Sequence, residues 1–253
     1  MSSGPNLDDV RRLEELAFRG WPALESRTIG GWRLRFSGGY TKRANSINAL
    51  RPEIPADIEA FEALYRERGL MPAWRLSPLA PASTARELAS RGYRTIERSL
   101  MQVCHLHERF EADPAVVIHP RPTPAWVEAF ATHSPVRPEH RDVMLRMLLS
   151  IAPEAGFAFV ERGGRPMAMA IGAIEGDHMG LFDVLVMPEA RRQGLARRVT
   201  ESLYAWAWAL GARYAYLQVV ATNAAAMPLY EGQGFRTAYA YEYMLPPIQG
   251  GSS

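Results

Sequence analysis

The chain has 253 residues, 47% of them hydrophobic, and carries 29 basic against 27 acidic side chains, for a formal charge of +2. That balance leaves no broad uncompensated basic surface and argues against a nucleic-acid partner, while the length suits one large domain or two small ones. Cys104 is the only cysteine, so neither an intramolecular disulfide nor a cysteine-based zinc site can form, and the six histidines show no ligand spacing, so no metal is expected.

Taken in chain order, the opening MSSGPNLDDVRRLEE has no apolar signal region. No run approaches the roughly 18 apolar residues of a membrane span, so a cytoplasmic protein with no membrane partner is expected. The stretch GGWRLRFSGGYTKRANSINAL then reads as an aromatic-rich strand, the polar group Lys42, Arg43, Asn45 and Ser46, and a largely apolar end. These polar residues form either a turn with its solvated flank or one wall of a cleft. Next, ALRPEIPADIEAFEALYRERGL offers a strand end, a loop and a helix. A further helix precedes Gly92, and in the strand-like run 101–106 Cys104 shares a face with Leu106.

From residue 115 strands and helices alternate. The pattern predicts strands over 115–119, 157–161, 167–174, 178–186 and 214–220, helices over 124–132, 141–151, 195–210 and 223–233, and a final hairpin through Leu245. In the helix 195–210, Leu195, Val199, Leu203, Trp206 and Leu210 form one apolar stripe, a core face. Tyr204 and Trp208 fall on the opposite face, which predicts cover by the first half of the chain or by a second copy in a homodimer.

The segment from Leu181 to Phe235 holds the two most informative motifs. It opens LFDVLVMPEARRQGLARRV, an apolar strand, a proline break and a basic, glycine-containing turn that enters a helix. Consecutive backbone N–H groups at a helix start attract an anion, and Gly194 lets a phosphate oxygen approach closely. Twenty-nine residues after Gly194 comes Asn223-AAAMP-Leu229-Tyr230-EGQ-Gly234-Phe235, with Tyr230 two helical turns beyond Asn223 on the same side.

In this order and spacing, the two motifs resemble those of the GNAT superfamily of acetyl-CoA-dependent N-acetyltransferases. The resemblance implies an α/β GNAT fold, a mixed and strongly twisted sheet flanked by helices, with acetyl-CoA as co-substrate. It implies that Arg191, Arg192, Gln193, Gly194, Leu195 and Ala196 hold the pyrophosphate, that the strand end at Leu185 and Val186 bonds the pantetheine arm, that Asn223 lies near that arm, and that Tyr230 lies near the thioester sulfur. Ala196 replaces glycine at the third small position, which the family pattern allows.

The first half repeats part of this plan. A shift of 142 residues sets Gly92-Tyr93-Arg94-Thr95 on Gly234-Phe235-Arg236-Thr237, yet Leu88 stands where Tyr230 does and Pro81 where Asn223 does, and there is no arginine-glycine turn. Either this match is chance or the chain is a tandem, with a degenerate GNAT-like domain over 1–112 that holds no coenzyme and a catalytic domain over 113–253. Some two-domain GNAT proteins carry a similar tryptophan and R-x-N-S stretch, and kasugamycin acetyltransferases are among the architectures to compare.

An amine attacks a thioester only as its free base, and the leaving thiolate needs a proton. Tyr230 is the candidate acid. Asp183, on the strand before the turn, is the first candidate base, Glu175 the second, and a solvent-mediated or substrate-assisted route competes with both. Two functions stay open: an N-acetyltransferase, or an acetyl-CoA sensor that lost turnover. Retention of Tyr230 favours catalysis. For the acceptor the order is an amino-sugar antibiotic such as kasugamycin, then other small amines, then protein N-termini, with Arg43, Asn45, Ser46 and Glu175 as candidate acceptor contacts.

Overall fold

Short polar side chains start the helices. Asn6 accepts from the amide of Asp8 to open α1 (Leu7–Gly20), Asp57 accepts from Ala60 to open α2 (Ile58–Arg66), and Thr123 accepts from Trp126 to open α4 (Pro124–His133), each satisfying an N–H the helix leaves unpaired. The computed structural model describes residues 5–108, 110–134, 136–151 and 154–247. Its first half adds β1 (Glu25–Ile29), β2 (Trp32–Phe36), β3 (Ile47–Ala49), β4 (Trp74–Leu76), α3 (Ala82–Ser90) and β5 (Arg94–His105). The second half runs β6 (Val116–His119), α4, α5 (Arg141–Leu149), β7 (Glu154–Arg162), β8 (Arg165–Glu175), β9 (His178–Val186), α6 (Leu195–Ala209), β10 (Tyr214–Val220), α7 (Met227–Gly232) and β11 (Arg236–Leu245).

Among the described residues the eleven strands form one mixed sheet in the order β1-β2-β3-β4-β11-β5-β10-β9-β8-β7-β6. This order exchanges a strand between the halves. β5, from the first half, lies antiparallel to β10, while β11, from the second, lies antiparallel to β4, and β5 and β11 pair with each other at the centre. A cut near residue 112 therefore divides the chain but not the sheet. On either side of the central pair the plan repeats: β3 runs parallel to β4, and β9 runs parallel to β10.

The 142-residue offset is visible in single hydrogen bonds. Tyr93 N donates to Leu88 O and Phe235 N donates to Tyr230 O, both at 3.0 Å, just after glycines at φ +84° (Gly92) and +96° (Gly234). Both turns end a helix with a left-handed residue, the conformation glycine adopts without steric cost, and lead into the exchanged strands.

α6 covers one face of the second-half sheet, packing on β7, β8 and β9, while α1 and α4 pack on the other. Gly156 and Gly172 make room for it. A Cβ on either would lie 3.0–3.1 Å from Trp206 or Leu203. The apolar stripe is buried at Leu195, Val199 and Leu203, but Leu210 is 47% exposed, since the helix ends at Ala209 and the chain turns there. Tyr204 is fully buried against Phe110 and Phe235, and its hydroxyl donates to Gln233 Oε1 at 3.2 Å. The segment after β5 thus covers this face from within the same chain, and Tyr204 no longer argues for a homodimer. Two further expectations change. The helix predicted over 223–233 begins only at Met227, because Asn223 to Ala226 form turns and Pro228 cannot donate to an earlier turn. The C-terminal hairpin is instead one ten-residue strand, β11, clamped between β4 and β5.

Candidate active site

β9 and β10 pair only from Tyr214↔His178 to Leu217↔Leu181, and beyond this point they part. A β-bulge explains the divergence. Between the pairs Met169↔Leu185 and Ile171↔Phe182, β9 spends one residue more than β8, and Asp183 takes a left-handed φ of +47°. Bulges bend the strand that bears them and re-aim a side chain. Leu185 and Val186 keep their ladder with β8, so their edge toward β10 is open, the position an extended amide-bearing arm requires.

The turn after β9 leaves backbone donors open at a helix start. Gly194 caps α6 with φ +76° and Arg192 has φ +60°. Among the described residues, the backbone N–H groups of Arg192, Gln193, Gly194, Leu195, Ala196 and Arg197 have no acceptor, and the first helical bond here is Arg198 N to Gly194 O. Six neighbouring donors at a helix N-terminus form an oxyanion cradle. A Cβ on Gly194 would meet no atom within 4 Å, so the space beside these donors is open. Arg192 is exposed and, among the described residues, forms no ion pair, whereas Arg197 is held by Glu201 (2.8 Å) and Arg198 by Asp113. Gln193 spans the loop, donating to Glu189 O and accepting from Arg162. Arg191 Nε donates to Val186 O at 3.4 Å.

At the wedge between β9 and β10, Asp183 and Tyr230 share one electrostatic environment with two groups of the first half. Arg43 donates to Asp183 Oδ1 at 2.6 Å and lies 5.0 Å over the Trp21 ring, which stacks on Phe182. Burial pushes the Tyr230 phenol up to about 12, with the Asp183 charge adding to the rise and Arg43 opposing it. Tyr40 is raised for the same reasons, burial first and Asp183 second. Tyr230 is 8% exposed, its hydroxyl has no hydrogen-bond partner among the described residues, and it is a phenol held protonated in the field of Asp183 and Arg43.

Three expected contacts lie elsewhere. Asn45 is 5% exposed and spends its amide on backbone, accepting from Ser37 N and Gly39 N and donating to Tyr40 O and Thr41 O. It therefore shapes the loop that carries Arg43 rather than facing an acceptor. Ser46 is fully buried and donates to Asn48 Oδ1. Glu175 pairs with Arg19 at 2.7 Å and sits opposite His178, five residues along β9 from Asp183, or roughly 16 Å at strand rise. Asn223 is exposed, and its Oδ1 accepts from Ala226 N. Tyr40 and Trp21 were not singled out from the sequence. The Gly38-Gly39 pair beside Tyr40, both at positive φ, was the available sign of a shaped loop.

Residues 8–244 match the family described as "Probable histone acetyltransferase Rv0428c C-terminal". The chain belongs to this family. It is 29% identical to the uncharacterized N-acetyltransferase YobR of Bacillus subtilis (strain 168), over 94% of this chain and 99% of that protein. Over 35% of this chain and 60% of the relative, it is 36% identical to the [ribosomal protein bS18]-alanine N-acetyltransferase of Escherichia coli (strain K12). The fold is that of a tandem GNAT protein from the clavulanic acid biosynthesis pathway, with a TM-score of 0.65 at 13% identity over 99% of this chain and 92% of that one. The protein is a GNAT-type acyltransferase, and its fold implies acetyl-CoA as co-substrate.

Proposed function

We propose that the chain moves the acetyl group of acetyl-CoA to a primary amine of a small molecule, with the turn Arg191 to Ala196 holding the pyrophosphate and the edge at Leu185 and Val186 the pantetheine arm. The observation that carries this reading is the run of six unpartnered N–H groups opening α6 beside a wedge that holds a protonated tyrosine. The amine nitrogen attacks the thioester carbon, forming C–N as C–S breaks. Tyr230 gives its proton to the departing sulfur, and the nitrogen loses its proton to water or to Asp183 Oδ2, the oxygen Arg43 leaves free. Asn223 and Arg192 lie on the coenzyme side of this scheme.

Arg43, Tyr40 and Trp21 crowd the acceptor side of Asp183, and such a wall fits a compact amine better than a peptide chain. An amino sugar such as kasugamycin belongs to this class. A protein acceptor is the second reading, favoured by the family description. Thiol release from acetyl-CoA over a panel of amino acids, polyamines, amino sugars and short peptides is the test. A small amine should exceed every peptide in kcat/KM by more than about tenfold, or roughly 1.4 kcal/mol of transition-state preference. Peptides ahead by that margin would establish the second reading, and no thiol release above hydrolysis would favour a sensor.

A further inference from the structure

Arg35, on β2, is a cation buried without a carboxylate partner among the described residues, whereas Arg75 pairs with Glu14, Arg43 with Asp183 and Arg33 with Glu15. It is 2% exposed, and burial, reinforced by repulsion from Arg75 and Arg33, brings its pKa down to about 9. An unpaired charge held out of water is costly, so its contacts show what it is kept for.

The guanidinium spends both sides of its fork on backbone. Nη2 donates to the carbonyls of Phe18 (3.1 Å) and Trp21, at the end of α1, and Nη1 donates to the carbonyl of Arg43 at 2.5 Å. Capping of α1 accounts for the first two, since a helix leaves its last carbonyls unpaired and a cation there meets the negative end of the dipole. It does not account for the third. Arg43 O belongs to another segment, and the strand that bears Arg35 is itself fixed, with Arg35 N donating to Ser46 O and the Tyr65 hydroxyl donating to Arg35 O, both at 3.0 Å.

A second observation, in the loop before Arg43, is independent of charge. Thr41 has φ +56° and ψ 137°, an outlier for a β-branched residue. Such strain persists only where the surroundings over-determine the backbone. Here Asn45 Nδ2 donates to Tyr40 O and Thr41 O, and Trp21 Nε1 donates to Thr41 Oγ1 at 3.2 Å, which ties the loop to the same end of α1 that Arg35 holds. The side chains fixed in this way stand against Asp183. The Arg43 guanidinium lies 5.0 Å over the Trp21 ring and donates to Asp183 Oδ1 at 2.6 Å.

We propose that Arg35 is a positioning residue for the acceptor side of the site: its fork clamps the end of α1 to the backbone of Arg43, so that Trp21 and Arg43 form one rigid wall and Arg43 presents Asp183 in a single orientation. Arg35 touches neither coenzyme nor acceptor and acts through Arg43. Its effect on turnover rests on the acetyl-transfer reading, but the clamp itself does not.

Hydrogen exchange of the full chain, read by mass spectrometry, tests the clamp without turnover. Arg35→Lys keeps the charge and can still cap α1, but a single ammonium does not span both sides as a planar fork does. It should raise exchange over residues 40–45 by about tenfold or more and leave β7 and β8 unchanged. Acetyl-CoA affinity in calorimetry should stay within about twofold, while kcat/KM for the amine best turned over in the thiol-release panel should fall by about tenfold or more. Added to Arg43→Met, the same change should cost about twofold or less, because it acts through a group already removed. Arg35→Gln, with no buried charge, gives the same readings if Arg35→Lys does not fold. Exchange raised throughout the chain, failure of both variants to fold, full acceptor kcat/KM, or a loss that multiplies with that of Arg43→Met would overturn the proposal. Exchange raised only over 40–45, with no amine acetylated by the unaltered protein, would uphold the clamp and remove the acetyl-transfer reading. Acetylation of an amine with exchange over 40–45 unchanged in the variants would do the reverse.

Discussion

Of the junctions that lead from a strand into a helix, those that open α2 and α6 differ in one chemical respect. At the β3–α2 junction Asp57 caps the helix, its carboxylate accepting from Ala60 N. At the β9–α6 junction Gly194 occupies the cap, no side chain accepts there, and six N–H groups are left open. The strands alongside follow the same plan, since β3–β4 and β9–β10 are both parallel. One junction carries its own carboxylate, and the other leaves its donors unpaired. A carboxylate at the helix start takes up an N–H donor and repels phosphate, so on the proposed reading the first half is expected to hold no coenzyme. The later helix ends carry the same contrast, for Leu88 stands in the first half where Tyr230 stands in the second.

The comparison is sharpened most by Tyr230→Phe, which makes the second half resemble the first at the helix end. It should lower kcat by on the order of 10²-fold while leaving the acetyl-CoA dissociation constant within about twofold. Full kcat in steady-state assays would assign the proton to another donor. Gly194→Val should be next in size. A β-branched side chain at φ +76° is strained and fills the cradle, so acetyl-CoA affinity should fall by about tenfold or more in calorimetry, with the circular dichroism spectrum unchanged.

The pH profile distinguishes this phenol from an exposed one. Burial favours neutral Tyr230, so its contribution to stability is intact below the ordinary tyrosine value of about 10 and is lost as pH rises through about 12. Accordingly kcat should show no descending limb with an apparent pKa near 10, and a limb there would mean that the phenol is not buried in the working complex. The smallest effect belongs to the closed junction. Asp57→Ala should cost about 1 kcal/mol of stability, read as a lower Tm, without creating a second coenzyme site.

The turn before α6 could be read in the sequence because it is local: a proline, a glycine and a helix start lie within a dozen residues. The exchange of β5 and β11 could not, since an alternating strand does not record which neighbour it will pair with. Tyr204 looked exposed on its own helix and is buried because Phe110, 94 positions earlier by the numbering, folds over it. Polar side chains in the Lys42 to Ser46 stretch divide the same way. Arg43 extends to Asp183 in the other half, while Asn45, with the same local appearance, turns inward to tie its own loop. Only the fold decides which of two neighbouring polar groups faces a cleft.

The contrast between the two junctions is tested most directly by the stoichiometry of acetyl-CoA binding to the full chain in isothermal titration calorimetry, repeated on Gly194→Val. One site per chain, greatly weakened by the substitution, is the predicted result. Two sites, or a single site indifferent to Gly194→Val, would contradict it.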